Sequence, residues 1–209
     1  MQKGKFIVFE GIYGSGRFIV DLVQRLRESL TREGKEVFEI DSPDTGRAQI
    51  MGAQELDSTW KYGMFQPDFF FELAARARVC SVTREELAKG RMVLCKSFTL
   101  SSIVYAELSG HDWFREDLNV LEARARGVQF GGEVVPDLTL FVDIAPALAA
   151  KELGPRLGNR NPADLDRQLR LYQHELSKLP SGRVRVLRGD RPAESLLAEA
   201  LEAIRALPQ

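Results

Sequence analysis

Phe6-Ile7-Val8-Phe9-Glu10-Gly11-Ile12-Tyr13-Gly14-Ser15-Gly16-Arg17-Phe18 is an apolar strand that runs into a glycine frame. Glycines at 11, 14 and 16 let the backbone turn tightly with its N–H groups inward, as a nest for phosphate oxygens. Ile19, Val20, Leu22, Val23, Leu26 and Leu30 then recur at helical spacing, so the loop opens a helix whose positive end faces the same anion. This is the frame of a P-loop, G-x-x-x-x-G-K-[ST], in which the Lys reaches the outer phosphates and the hydroxyl ligates Mg²⁺. Arg17 and Phe18 stand at those two positions. Arginine keeps the charge and grips phosphate bidentately, but it is longer and planar. A phenyl ring has no oxygen for a hard cation. The candidate phosphate-binding residues are Gly11, Tyr13, Gly14, Ser15, Gly16, Arg17 and Phe18, with no metal ligand among them. A second reading stays open at this stage: a tight strand-to-helix connection that binds nothing.

Outward from this stretch, short β-rich runs alternate with longer helical patterns. Strands are expected near Phe6–Phe9, Glu36–Ile40, Met92–Cys95, Leu138–Val142 and Val184–Leu187. That alternation predicts an α/β fold with a five-stranded parallel sheet and helices on both faces. Gly34 is placed to stop the first helix, and Pro192 fits the first turn of the last, whose Leu196, Leu197, Leu201 and Ile204 form one apolar stripe. Gly154-Pro155-Arg156-Leu157-Gly158-Asn159-Arg160-Asn161-Pro162 crowds glycine, proline and arginine between two helices and reads as a basic flap. In open parallel sheets ligands bind beyond the carboxyl ends of the strands, where the loop, the residues after Cys95 and this flap converge.

Composition narrows the classes. With 209 residues and 44% hydrophobic content, the chain can bury a full core and is expected to form one domain over 1–209. A net charge of −1 gives no global pull toward nucleic acid or anionic membrane, so any anion site is local. Two cysteines and two histidines supply neither a disulfide framework nor metal-ligand spacing; Cys95, in an apolar run, reads as a buried small side chain, and His111 and His174 as surface or helix-face residues. No apolar run approaches the roughly 18 residues of a membrane span. The chain enters a strand directly, without a leader pattern, and the expectation is a cytoplasmic protein.

These motifs resemble the thymidylate kinase family, P-loop enzymes that move a phosphoryl group from ATP to dTMP. Lys5 to Ile12 is similar to that family's opening strand and loop, and Pro136-Asp137-Leu138-Thr139-Leu140-Phe141-Val142-Asp143 to its fourth strand. Leu87-Ala88-Lys89-Gly90 and Ser101-Ser102-Ile103-Val104-Tyr105 have the spacing around its third, and Arg167 to Leu176 resembles the helix after its lid. The resemblance implies a P-loop NTPase-type three-layer sandwich, a lid near 154–163 carrying Arg156 and Arg160, ATP and Mg²⁺ as cofactors, and a homodimer. On the substrate side it implies Arg76 as a base-contacting arginine and Phe70 or Phe71 as an aromatic face; the competing reading of such aromatics is core, and of the lid arginines plain solvation. The family's proline and threonine segment after the second strand is recognisable as Pro43-Asp44-Thr45-Gly46.

The departures fall on the chemistry. Where the family carries Asp-Arg-Tyr/Phe at the end of the third strand, this chain has Lys96-Ser97-Phe98. The acidic group that organises Mg²⁺ and the arginine that holds the monophosphate are both replaced. Arg17 and Lys96 are the replacement candidates for charge compensation, Lys96 near where the metal would sit. Two functions follow: a nucleotide-binding kinase of reduced activity and weakened Mg²⁺ use, or a non-catalytic relative that keeps the fold to bind an anion or a partner.

Overall fold

The computed structural model describes residues 4–40, 65–108, 115–127, 132–157 and 162–208; at 65–69, 71, 115–119, 156 and 157 it describes the backbone element alone. Five strands, β1 (Lys5–Glu10), β2 (Val37–Ile40), β3 (Met92–Lys96), β4 (Leu138–Asp143) and β5 (Val184–Arg188), form one sheet in the order β2-β3-β1-β4-β5. Every pairing is parallel. The expected fold class holds, and β1 takes the middle, with Phe9 opposite Lys96 on one side and Leu140 on the other.

The helices are α1 (Gly16–Arg32), α2 (Phe65–Ala88), α3 (Thr99–Leu108), α4 (Arg115–Ala125), α5 (Pro146–Leu153), α6 (Pro162–Ser177) and α7 (Ala193–Arg205). A strand presents alternate residues to opposite faces, and β1 is apolar on both. Ile7 and Phe9 enter the core shared with α1, α5, α6 and α7, while Phe6 and Val8 enter a second core with Val79 and Cys80 of α2. A parallel strand covered on both faces is expected to read as a continuous apolar run, which is how Phe6–Phe9 reads.

In α1, Ile19, Leu22, Val23, Leu26 and Leu30 are buried. Val20 is 52% exposed and leaves the stripe, since one residue turns a helix by about 100°. The helix ends as expected: Gly34 has φ +77°, and the Lys35 N–H donates to Leu30 O at 3.0 Å, the six-to-one bond of a glycine-terminated helix. Pro192 sits just outside α7, in extended backbone with φ −54° and ψ 143°, one residue earlier than its sequence position suggested. The stripe it introduces is buried at Leu196, Leu201 and Ile204.

Candidate functional site

β1 delivers the glycine loop to the carboxyl edge of the sheet. A Cβ on Gly11 would lie 2.3 Å from Ser15 Oγ, and one on Gly14, at φ +92°, 2.4 Å from Ala149 O. Both glycines are required by close approach, Gly14 by its left-handed backbone as well. The loop's polar groups divide. The Ser15 N–H and hydroxyl both donate to Ile12 O, at 3.0 and 2.7 Å. The Tyr13 N–H donates to Gln168 Oε1 of α6 at 2.9 Å. The first α-helical bond is Ile19 N–H to Ser15 O, so the amides of Gly16, Arg17 and Phe18 form the open first turn of α1.

Arg17 lies at that turn with its side chain 72% exposed and Nη2 2.9 Å from Glu152 Oε1 of α5. Its guanidinium carbon stands 5.2 Å from the centroid of the Phe18 ring, and Phe18 packs against the larger core. Arg17, Phe18, Asp21 and Leu22 face Arg191 and Leu196 across a groove of about 330 Å³.

The end of β3 is built differently. Lys96 Nζ is 2.9 Å from Glu39 Oε1 on β2. Ser97 has φ +66°, the one positive φ outside glycine among the described residues, and its N–H donates to Phe9 O at 2.8 Å. The Phe98 ring, 1% exposed, meets Phe6 edge-on at 5.1 Å. Arg76, wholly buried, sits 4.5 Å over that ring and donates from Nη2 to Phe98 O at 2.9 Å and Ser102 Oγ at 2.7 Å. Glu122 and Glu72 lie 3.4 and 3.8 Å away. Burial works against the charge on Arg76, but Glu122 and then Glu72 carry its pKa above the ordinary arginine value. Arg76 Nε and Nη1 and both Glu122 oxygens are buried without a hydrogen bond.

Between these two regions lies a buried carboxyl, Glu10, 1% exposed. Its Oε1 accepts the Phe98 N–H at 2.9 Å, and its Oε2 accepts the Ser101 hydroxyl and, at 3.5 Å, the Tyr172 hydroxyl. Ser101 Oγ in turn accepts from Ser97 Oγ at 2.5 Å and Tyr172 at 3.1 Å. Burial raises the Glu10 pKa above the usual carboxylate range, against the lowering effect of Ser101, Phe98 and Arg76. Burial, and next the nearby Glu10 charge, lift Tyr172 well above an ordinary tyrosine. Glu10 is not among the candidates the motif supplies; the signal the sequence offers is an acidic residue ending a run of four apolar ones.

The sequence profile of the family described as Thymidylate kinase matches residues 9–199. The chain belongs to the thymidylate kinase family. The thymidylate kinase of Paracidovorax citrulli is 29% identical over 211 residues, spanning 97% of this chain and 93% of the relative. That of Ruegeria pomeroyi is 28% identical over 214 residues, with 96% and 94% covered. That of Burkholderia cenocepacia reaches 32% over 162 residues, 74% and 72% of the two chains. The thymidylate kinase family is one of nucleotide-binding kinases with the P-loop fold, and both descriptions extend to this chain.

The remaining candidates lie on α2, between α5 and α6, or outside the described residues. Phe70 is 59% exposed on α2, and Phe71 lies in the same helix. Arg156 lies in a short 3₁₀ turn, Gly154–Leu157, between α5 and α6. Arg160, His111 and Pro43 to Gly46 fall outside the described residues, and His174 is exposed on α6. Cys95 and Cys80 are buried free thiols, and burial pushes Cys80 up to about 11. Among the described residues no group of three His, Cys, Asp or Glu is arranged to hold a metal, and no helix is long and apolar enough to cross a membrane.

Proposed function

We propose that this chain is a cytoplasmic, thymidylate-kinase-like nucleotide- or phosphate-binding protein, one domain over 1–209, whose phosphoryl transfer from ATP to dTMP is severely reduced. The observation that carries the reading is the pair of side chains at the metal positions. Where the family supplies a hydroxyl, Phe18 packs its ring on the core. Where it supplies a carboxylate, Lys96 brings an ammonium paired to Glu39. These residues do not fit Mg²⁺, which takes oxygen ligands in near-ideal octahedral geometry. Ser97, at the position of the phosphate-holding arginine, has a hydroxyl turned to Ser101. Phosphoryl transfer rests on positioning and charge compensation. Loss of one preorganised contact costs about 10²–10³ in rate, and residues acting as a unit are not additive, so two losses imply a deficit of about 10⁴ or more.

Anion binding persists in this reading through Gly11 to Phe18, with Arg17 as the cation and the first turn of α1 as donor. Arg156 and Arg160 belong to the lid that closes over the nucleotide and Phe70 and Phe71 to the base side, where the wholly buried Arg76 supports the turn from beneath and does not touch the base; the protein pairs as a homodimer by family analogy. The test is a coupled ATP/dTMP turnover assay beside calorimetric titration of ATP with and without Mg²⁺. The expected result is turnover at least about 10⁴-fold below the usual kinase range of roughly 1–100 s⁻¹, with weak ATP binding that Mg²⁺ does not tighten. The alternative, an active dTMP kinase with replacement residues, draws support from identity spread over nearly the whole chain; turnover within the ordinary range would establish it.

A further inference from the structure

Three contacts on the glycine loop come from one pair of packed helices. Glu152 of α5 holds Arg17 at 2.9 Å. Gln168 of α6, a side chain only 5% exposed, takes the Tyr13 N–H at 2.9 Å. The backbone of α5 abuts Gly14 so closely that a Cβ there would meet Ala149 O at 2.4 Å. These helices flank the flap segment, and the residues they engage lie in the loop that the sequence marks for phosphate.

We propose that Glu152 and Gln168 are built-in competitors for an anion at this loop, so that a phosphate binds only by exchange with them. The inference rests on the anion-binding reading above and adds a regulatory contact to it. Arg17 is the cation that a phosphate would use, and a carboxylate oxygen already accepts its hydrogen bond. Glu152 closes the last turn of α5, where the helix dipole disfavours an anion, yet it reaches to the first turn of α1, where the dipole favours one. Its placement is that of a phosphate substitute. A tethered competitor acts at high effective concentration, so a singly charged anion of similar size gains nothing by replacing it. A pyrophosphate or nucleotide triphosphate brings more charge and several acceptor oxygens to the same guanidinium, which grips phosphate bidentately. Exchange also frees Gln168 from Tyr13, so occupancy of the loop loosens the hold of α5 and α6 on it.

The test uses the full chain without Mg²⁺ and two measurements: calorimetric titration with pyrophosphate, and hydrogen exchange at the Tyr13 amide. Glu152→Gln keeps the shape and removes the charge; it is expected to bind pyrophosphate at least about tenfold tighter than the unmodified protein. Adding Arg17→Ala to it should erase that gain. The Tyr13 amide should be protected in the unmodified protein and exchange at least about tenfold faster in Gln168→Ala and on saturation with pyrophosphate. If Glu152→Gln binds no more tightly than the unmodified protein, while Arg17→Ala alone binds more weakly, the loop is an anion site but the competitor proposal is overturned. If none of the variants binds pyrophosphate, the anion-binding reading falls and the proposal with it. A Tyr13 amide that exchanges at the same rate with and without Gln168 overturns the second contact independently.

Discussion

The loop at Gly11–Phe18 and the turn at Lys96–Phe98 leave neighbouring strands at the same edge of the sheet, with Phe9 in register with Lys96, but they are filled by different kinds of contact. The loop is held largely by polar groups of other helices, and its cation is mostly exposed. The turn adds close packing to its own hydrogen bonds: Phe98 lies against Phe6, Arg76 lies over Phe98, and no water-accessible surface is left on Arg76. An exposed ion pair exchanges with solvent and with other anions, whereas an aromatic ring in a close-packed core is replaced only by a rearrangement of its neighbours. The departures divide accordingly: Arg17 is an exposed ion pair, Phe18 is tied into the core, and Lys96 and Ser97 lead into a turn whose buried ring, Phe98, keeps the family's aromatic position.

The largest expected effect concerns turnover. Arg17→Lys/Phe18→Thr alone should leave dTMP phosphorylation about 10⁴-fold or more below a competent enzyme, a barrier difference of about 5.5 kcal/mol, because Lys96 and Ser97 are unchanged. If the loop reversion alone raised turnover a thousandfold in a coupled assay, the turn would not be the deeper loss. Next in size is stability. Phe98→Ala should cost about 3–5 kcal/mol in urea unfolding, as large-to-small changes at buried aromatics do. A cost below about 1 kcal/mol would show that the turn is as loosely held as the loop.

The pH response separates the regions further. Glu10 carries a raised pKa in the fold through burial, so the native state binds its proton more tightly than the unfolded chain. Its contribution is therefore present below the ordinary carboxylate range and is lost as pH rises through the folded value. Glu10→Gln should flatten that decline in a series of thermal melts from about pH 4 to 8; an unchanged slope would remove Glu10 as its source. The smallest effect is expected at the loop, where Arg17→Ala should change unfolding free energy by no more than about 1 kcal/mol, as exposed ion pairs do. A loss of several kcal/mol there would make the Glu152 contact a structural bond.

The strands were readable because each is a local pattern: apolar runs bounded by glycine and turns, and a parallel sheet follows from their alternation with helices. Gly34 was readable for the same reason, since its role depends on its immediate neighbours. The partners of the loop were not, because Glu152 lies 135 residues from Arg17 and Gln168 lies 155 from Tyr13, and although Gln168 falls in the segment resembling the helix after the lid, nothing local ties either residue to the loop. The departures at Arg17, Phe18, Lys96 and Ser97 could be seen against the motif, but not where the side chains would turn. Ser97's left-handed backbone has no propensity signal in a serine, and the depth of Phe98 follows from Phe6 and Arg76, which meet it only in the folded chain.

The middle position of β1 has a kinetic meaning. Its second residue is stitched to the chain far downstream: the Phe6 N–H donates to the Asp137 carboxylate at 2.8 Å, and the Asp137 N–H returns a bond to Phe6 O at 2.8 Å. During synthesis, this strand waits with both edges open until Met92–Lys96 and Leu138–Asp143, more than 80 residues downstream, have emerged. At about 5–20 residues per second, that delay lasts several seconds or more. Sequence-distant pairing of this kind slows folding, and an apolar strand with two free edges is a template for pairing with another nascent chain. The segment that identifies the fold is also the one most exposed to misassembly before the fold exists.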